Sequence, residues 1–178
     1  MQLFDSLRWA RYIQIRSIAL ALTISSVHVA GHAQGQDVRA HQPDEAVFRA
    51  IRSEDVQWKP FAAFPAQARL AVLVGDPSQP GPYVIRVRLP GGTKMMPHQH
   101  PEDRIYTVLS GIFYIGLGEE FDESRLTAYG AGSVIVLPGG TSHFHWAKSG
   151  EYVTQITAIG PLGLSYVHPD DDPRSKPR

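Results

Sequence analysis

From Leu70 onward, the chain alternates short apolar or alternating runs with tight turns that are rich in glycine and proline. The 16 glycines and 14 prolines favour many short strands over a bundle of helices. Turn signals about every 8–12 residues are typical of a small antiparallel barrel or sandwich. We therefore predict an all-β fold, a small double-sheet barrel of the jelly-roll type. Strands are expected at 70–74, 83–89, 104–109, 112–117, 133–137, 142–146 and 152–159.

Two connections and two flanking segments carry further predictions. Ser110-Gly111 is short enough to form a tight hairpin between its neighbouring strands, and 118–132 reads as an acidic loop with one helical turn around 122–126. A short N-terminal helix is predicted over 44–58, where apolar residues recur at helical spacing after Asp44 as N-cap. The charged, proline-rich segment 168–178 is expected to lie on the surface as a tail.

The N-terminus has the order of a secretory signal. Arginines at 8, 11 and 16 precede the apolar run 18–24, and small residues stand at Gly31 and Ala33. The apolar run is too short and too interrupted by polar residues to favour a retained membrane anchor. We predict cleavage after Ala33 and a periplasmic or secreted protein, without a stable membrane span once cleaved. The chain then divides into a signal (1–33), an arm with a short helix (34–69), a barrel (70–167) and a tail (168–178).

Composition excludes several classes of function. The 17 lysines and arginines balance the 17 aspartates and glutamates, so no strong positive field would recruit nucleic acid. The chain has no cysteine, which excludes disulfide scaffolds, thiolate metal sites and cysteine nucleophiles. The composition is that of a single globular domain.

Two His-x-His pairs are the strongest chemical signal. They are His98-Gln99-His100 and His143-Phe144-His145, each placed directly after a turn. Residues i and i+2 of a strand share one face about 7 Å apart, so both imidazoles can reach one ion at about 2.1 Å. A single pair arises easily by chance, but two pairs on different strands favour a shared metal. All-nitrogen ligation suits Fe2+, Zn2+, Cu2+ or Ni2+ and makes magnesium or calcium poor candidates.

Both pairs lie within segments that resemble the two motifs of the cupin superfamily. Gly92 to His100 followed by Gly111 is similar to the first motif, G-x5-H-x-H-x(3,4)-E-x6-G. Gly132 to His143 is similar to the second, G-x5-P-x-G-x2-H-x3-N. The resemblance is to a small single-domain cupin of the conserved-barrel type. It implies a double-sheet barrel with a metal near its mouth, held by His98, His100 and His143.

The chain departs from the first motif at its carboxylate ligand. Arg104 stands where the motif has glutamate, and arginine has no lone pair to offer a metal. In one interpretation the three histidines suffice, and Arg104 binds a carboxylate or enolate substrate beside Tyr106, which shares its strand face. The second-motif asparagine is also replaced, by Ala147, a change of little expected consequence.

Three other interpretations remain open. In the first, His145, Glu102 or Asp103 supplies a fourth ligand. In the second, the metal has been lost and the barrel only binds a ligand. In the third, Arg104 pairs with Asp103, Glu102 or an acid of another strand and points its head to the rim.

The functional prediction is an exported metal-binding cupin, in its sharpest form a three-histidine metal-dependent oxygenase acting on a small oxygen-rich or anionic compound. The alternative is a non-catalytic cupin that binds or senses a small ligand, since one fold hosts both classes. The sequence alone leaves open whether the protein is an enzyme. Exposed edge strands of a two-sheet barrel commonly pair across a two-fold axis, so a homodimer is predicted.

Overall fold

A computed structural model describes residues 50–175, and this part of the chain is built almost wholly of β-strands. The strands are β1 (Arg69–Val74), β2 (Gly81–Leu89), β3 (Lys94–Gln99), β4 (Arg104–Ser110), β5 (Ile112–Leu117), β6 (Thr127–Gly130), β7 (Val134–Leu137), β8 (His143–Trp146), β9 (Tyr152–Gly160) and β10 (Ser165–Tyr166). One five-stranded sheet has the order β1-β2-β9-β4-β7, and the other has the order β10-β3-β8-β5-β6. Every pairing within the two sheets is antiparallel.

The core lies between the two sheets, because the long strands alternate buried and more exposed residues along their length. In β2 the side chains of Tyr83, Ile85, Val87 and Leu89 are buried, while those between them are half-buried. Burying such an apolar side chain is worth about 1.5–3 kcal/mol, so this inward face supplies much of the barrel's stability. The predicted all-β double-sheet barrel is confirmed.

The predicted N-terminal helix is wrong in the part that the structure describes. Residues 50–58 contain one 3-10 turn, Ser53–Asp55, and the rest is extended; residues 44–49 lie outside the described part. The extended backbone lets Val56 pack in a small apolar cluster with Ala71 and Leu73. It also places the Trp58 ring 4.6 Å from the guanidinium carbon of Arg88. Tertiary packing therefore overrides a weak helical periodicity.

The predicted hairpin at Ser110-Gly111 is also wrong. Strand β4 belongs to one sheet and β5 to the other, so the chain turns a corner at Gly111 instead of folding back on itself. Gly111 has φ +71°, and a Cβ there would overlap the carbonyl oxygen of Glu151. Only glycine meets both demands without strain, so this residue is needed for the corner that separates the two sheets.

The acidic loop contains the predicted helical turn, but part of it forms a strand. Its helical turn is present as the 3-10 turn Glu123–Arg125, and the Asp122 side chain accepts a hydrogen bond from the Ser124 backbone N–H at 2.9 Å. The loop also contains strand β6, which the sequence analysis missed. Short and edge-placed, β6 pairs only with β5 and shows no clear burial alternation.

The C-terminal segment contacts the barrel through one of its arginines. It makes 3-10 turns at Pro169–Asp171 and Pro173–Ser175, and Arg174 Nη2 donates to the Leu164 carbonyl at 3.0 Å. Residues 176–178 and the predicted signal, 1–33, lie outside the described part.

The described residues leave the homodimer and the export untested. Edge strand β7 exposes Val134 and Val136 to solvent, which is compatible with an interface, but the homodimer stays a prediction. Within residues 50–175, no helix is long and apolar enough to cross a membrane.

Candidate metal centre

The second sheet brings the two His-x-His pairs together. His98 lies on β3, His100 follows directly after that strand, and His143 and His145 lie on β8. Strands β3 and β8 are antiparallel neighbours in which His98 faces His143. All four side chains are buried. The sequence predicted these four residues as one cluster, and the structure places them together.

A β-bulge aims His98 into the barrel. Met95 is buried opposite His145, and His98 comes three residues later, so regular alternation would turn it to the outer face. The register shifts between Met95 and His98, so that three residues of β3 oppose two of β8. One extra residue in a strand re-aims the side chain that follows. Sequence alternation alone could not locate this bulge.

The rings pack closely enough to share an ion. The centroids of His98 and His143 are 4.2 Å apart, and those of His143 and His145 are 5.0 Å apart. One ring nitrogen from each of His98, His143 and His145 lies within 4.8 Å of the other two. His100 is outside this tightest group, although its ring is 5.0 Å from that of His98 and 5.2 Å from that of His143. The tightest group thus contains His145 in the place where the family resemblance implied His100.

Backbone carbonyls set the tautomers of three of the histidines. A carbonyl oxygen only accepts, so an Nδ1 that bonds to one carries the proton and the lone pair is left on Nε2. Within the part of the chain that the structure describes, His143 Nε2 and His145 Nε2 are buried without a hydrogen-bond partner. The Nδ1 contacts are His98 to Met96 O at 2.8 Å, His143 to Thr141 O at 2.8 Å and His100 to Gly163 O at 2.6 Å.

Burial keeps these imidazoles neutral. Desolvation lowers the pKa of His143 to about 4 and lowers the pKa values of His98, His100 and His145 further below their ordinary range. The positive charge of Arg104 acts in the same direction on all four. Neutral imidazoles with free, converging Nε2 lone pairs are the donors that a divalent transition metal requires, so these residues fit a metal site.

Arg104 is inside the barrel and is paired with Glu102. Its Nε lies 3.0 Å and its Nη2 2.5 Å from Glu102 Oε1, and the side chains are only 3% and 7% exposed. The sequence offers Glu102, Asp103 or an acid of another strand as the partner of Arg104, and it predicts the pair at the rim. The structure corrects the location, because inward alternation on β4 buries Arg104 beside Tyr106.

Neither carboxylate near Arg104 is free for a metal. Glu102 also accepts a hydrogen bond from the Tyr83 hydroxyl at 2.7 Å and one from the Gly163 backbone N–H at 3.2 Å. Asp103 accepts from the Gly139 backbone N–H at 2.7 Å. Glu102 thus has three hydrogen-bond partners, and Asp103 is exposed and bonded to a loop far away in sequence. These bonds leave His145 as the fourth-ligand candidate that lies within reach of the other imidazoles.

A small pocket, partly open to solvent, adjoins the histidines. Arg104 and Tyr106, the two predicted substrate-binding residues, both line this pocket. Tyr152 and Thr154 of β9 line it as well, and the sequence analysis missed both. The alternation of 152–159 signals an inward face there, but not a pocket. The remaining lining residues are Phe64, Val87, Leu89, Met95, His98, His100, His145 and Ile156.

Two five-stranded antiparallel sheets around a histidine-lined pocket define the cupin fold, and the chain has this fold. The polyketide cyclase RemF from Streptomyces resistomycificus is similar, with 17% identity, a TM-score of 0.61, and 72% of this chain and 91% of that chain covered. The DMSP lyase DddQ from Ruegeria pomeroyi matches with 19% identity, a TM-score of 0.54, and coverage of 65% of this chain and 62% of the lyase.

A cupin 2 conserved barrel domain protein from Rhodopseudomonas palustris matches with 16% identity, a TM-score of 0.51, and coverage of 65% of this chain and 80% of that chain. No protein-family model matches the sequence, and no curated protein does. Identities this low establish the fold alone, and the chemistry has to be argued from the site.

Proposed function

We propose that this cupin-fold protein is an exported, metal-dependent enzyme acting on a small oxygen-rich or anionic compound. The observation that carries the proposal is the convergence of buried, neutral imidazoles from His98, His143 and His145, two of which present Nε2 atoms without partners. A lone pair without a partner in a buried site is costly, and a metal ion would use it.

The chain's own residues would divide the work between two walls of the pocket. The histidines of β3 and β8 hold the ion and leave part of its coordination shell for a ligand. Arg104 and Tyr106 on β4 line the same pocket and position the substrate. Burial raises the pKa of Tyr106, against the opposing charge of Arg104, so its hydroxyl stays protonated and would be able to donate a hydrogen bond to a ligand.

The metal would supply Lewis-acid or redox chemistry: Fe2+ suits dioxygenation of an enolisable or phenolic compound, and Zn2+ suits polarisation of a carbonyl. Fe2+, Zn2+, Cu2+ and Ni2+ all accept imidazole ligands. The similar solved structures include a cyclase and a lyase, so the fold is compatible with enzymatic chemistry.

Elemental analysis of the purified full chain tests the metal. We expect about one transition-metal ion per chain in the parent and less than about a tenth of that in His143→Gln, which keeps the side-chain volume but loses the imidazole. His168→Gln is the matched control, because His168 is half exposed and pairs with Glu120 away from the pocket. Equal metal content in all three proteins, or none in the parent after growth with all four metals, would overturn the proposal. Circular dichroism checks that His143→Gln keeps the fold.

One observation favours the non-catalytic alternative: among the described residues, no aspartate or glutamate lines the pocket. A cupin that only binds or senses a ligand needs no general base, whereas many enzymes use a carboxylate. Oxygen uptake and substrate loss, measured on the metal-loaded protein with phenolic and enolisable compounds, separate the two functions. Tight binding of such a compound without turnover would support the binding module.

A further inference from the structure

Two tyrosines that line the pocket have buried hydroxyls without a hydrogen-bond partner among residues 50–175. Tyr106 and Tyr152 are buried, line the pocket, and are without a partner for their hydroxyls in the described part of the chain. Other tyrosines that pack into this barrel bond theirs: Tyr83 donates to Glu102 at 2.7 Å, and Tyr166 donates to the Ala63 carbonyl at 2.8 Å. Folded proteins seldom leave a buried hydroxyl unpaired without a use for it.

The two hydroxyls belong to different parts of the pocket wall. Tyr106 is two residues from Arg104 on the inward face of β4, and it pairs across the sheet with Ile156 of β9. Tyr152 lies four residues before Ile156 on the same inward face of β9. The wall therefore carries a cationic, hydrogen-bonding end at Arg104 and Tyr106, and a second donor further along at Tyr152.

The hydrogen-bond donors of the pocket point to an anion. Its lining contains the Arg104 guanidinium, tyrosine hydroxyls and neutral imidazoles, whereas Glu102, which pairs with Arg104, and the other carboxylates of residues 50–175 lie outside the lining. In addition, a divalent ion held only by imidazoles keeps its full charge, because no ligand neutralises it. An anionic ligand with oxygen acceptors would satisfy both the charge and the unpaired hydroxyls.

We propose that the pocket binds a small organic acid that carries a second oxygen function, an oxo or hydroxyl group. The carboxylate lies beside Arg104 and accepts from the Tyr106 hydroxyl, and the second oxygen accepts from the Tyr152 hydroxyl. The apolar side chains of Val87, Leu89 and Ile156 cover the carbon chain between them. This proposal rests on the proposed function for its metal, and it adds the substrate class and two binding residues.

Calorimetric titration with three matched probes tests the proposed substrate class. The first probe is 4-hydroxybutyrate; butyrate lacks its second oxygen, and 1,4-butanediol lacks its charge. We expect the parent to bind 4-hydroxybutyrate best and the diol worst. Tyr152→Phe should lower the affinity for 4-hydroxybutyrate about tenfold and leave the affinity for butyrate nearly unchanged. Tyr106→Phe should lower the affinity for both acids about tenfold. Acids that do not bind the parent, or that bind both variants as tightly as the parent, would overturn the proposal.

Thermal unfolding of the ligand-free proteins gives a second readout that a structural role would not produce. Removing an unpaired buried hydroxyl removes its desolvation cost, so Tyr106→Phe and Tyr152→Phe should keep or raise the Tm. Tyr83→Phe is the control, and it should lower the Tm because its hydroxyl is bonded to Glu102. A drop in Tm for both pocket variants as large as that of Tyr83→Phe would show that their hydroxyls are structural and overturn the proposal.

Metal analysis of the same samples separates the two proposals. If the proteins contain metal but the tyrosine variants bind the acids as tightly as the parent does, the proposed substrate class is wrong and the proposed metal site is unaffected. Metal-free parent that binds 4-hydroxybutyrate through both tyrosines overturns the proposed metal function and supports the anion pocket.

Discussion

Arg104 and Glu102 form an ion pair inside the barrel, with Arg104 Nε 3.0 Å from Glu102 Oε1 and both side chains almost fully buried. The arginine stands where the first cupin motif has a metal-binding glutamate. Glu102, two residues earlier, balances its charge without reaching the histidines. This pair lets a cation occupy the position of a metal ligand without an uncompensated buried charge.

Breaking this pair should be strongly destabilising. Glu102→Gln would leave the Arg104 guanidinium buried without a counter-charge, and we expect it to lower the free energy of unfolding by about 3–5 kcal/mol in urea denaturation. The double variant Glu102→Gln/Arg104→Met should lose less free energy of unfolding than the two single variants lose in sum, because it removes both charges.

The exposed ion pair of Lys94 and Glu123, 3.5 Å apart, provides the control. Glu123→Gln should cost less than about 1 kcal/mol, since solvent screens that pair. A loss for Glu102→Gln no greater than for Glu123→Gln would contradict the prediction.

Replacing His145 and His100 should distinguish the two possible ligand sets. The ring nitrogen of His145 is within 4.8 Å of those of His98 and His143, whereas His100 lies outside this group with Nδ1 bonded to the Gly163 carbonyl. We expect His145→Ala to weaken metal affinity at least about tenfold, and His100→Ala to weaken it less. Competition with a chromophoric chelator measures both. The reverse order would support the set His98, His100 and His143 that the cupin resemblance implied.

The metal-free protein should lose stability in mild acid. The pKa of His143 falls from 6.5 to about 4 on folding because burial disfavours the charged ring. Below pH 6.5 the unfolded chain therefore takes up a proton that the folded protein does not, and stability decreases until about pH 4. For His143 alone the loss is about 3 kcal/mol across that range. His98, His100 and His145 are shifted in the same direction and add to it.

Urea midpoints of metal-free protein at pH 7 and pH 5 check this expectation. His143→Phe, which cannot take up a proton, should show a smaller difference between the two pH values than the parent. An unchanged midpoint for the parent would show that the imidazoles are not held neutral by the fold.

The corner at Gly111 should be intolerant of any side chain. Gly111→Ala would force a Cβ against the Glu151 carbonyl at φ +71°, and we expect it to cost at least about 2 kcal/mol of unfolding free energy. Gly130→Ala is the matched control, because a Cβ there meets nothing within 4 Å. Equal midpoints in a thermal melt would contradict the role assigned to Gly111.

Export stays a prediction from residues 1–33. The order of arginines, apolar run and small residues predicts a mature N-terminus at or near Gln34. Mass spectrometry of the envelope fraction of cells expressing the full chain should find that terminus. An intact Met1 in this fraction would contradict the prediction.

The sequence predicted the strands better than it predicted their partners. Alternation and turn residues placed seven of the ten strands within two residues, because the period of a strand is a local property of the chain, but they did not predict β3, β6 or β10. The hairpin at Ser110-Gly111 failed for the opposite reason. Whether a two-residue turn folds back or turns a corner depends on which distant strands compete for its neighbours, here β9 for β4 and β8 for β5.

For the candidate site, the sequence by itself determined the chemistry: two His-x-His pairs, motif glycines that resemble a cupin, and an arginine in place of the expected carboxylate. The tertiary structure alone decided the arrangement. It placed the bulge that turns His98 inward, buried Arg104 against Glu102, and put Tyr152 in the pocket lining. The types of metal-binding and hydrogen-bonding side chains and their spacings are properties of the sequence itself. Which donors converge depends on register and packing between residues far apart in sequence, whose free energies no local pattern encodes.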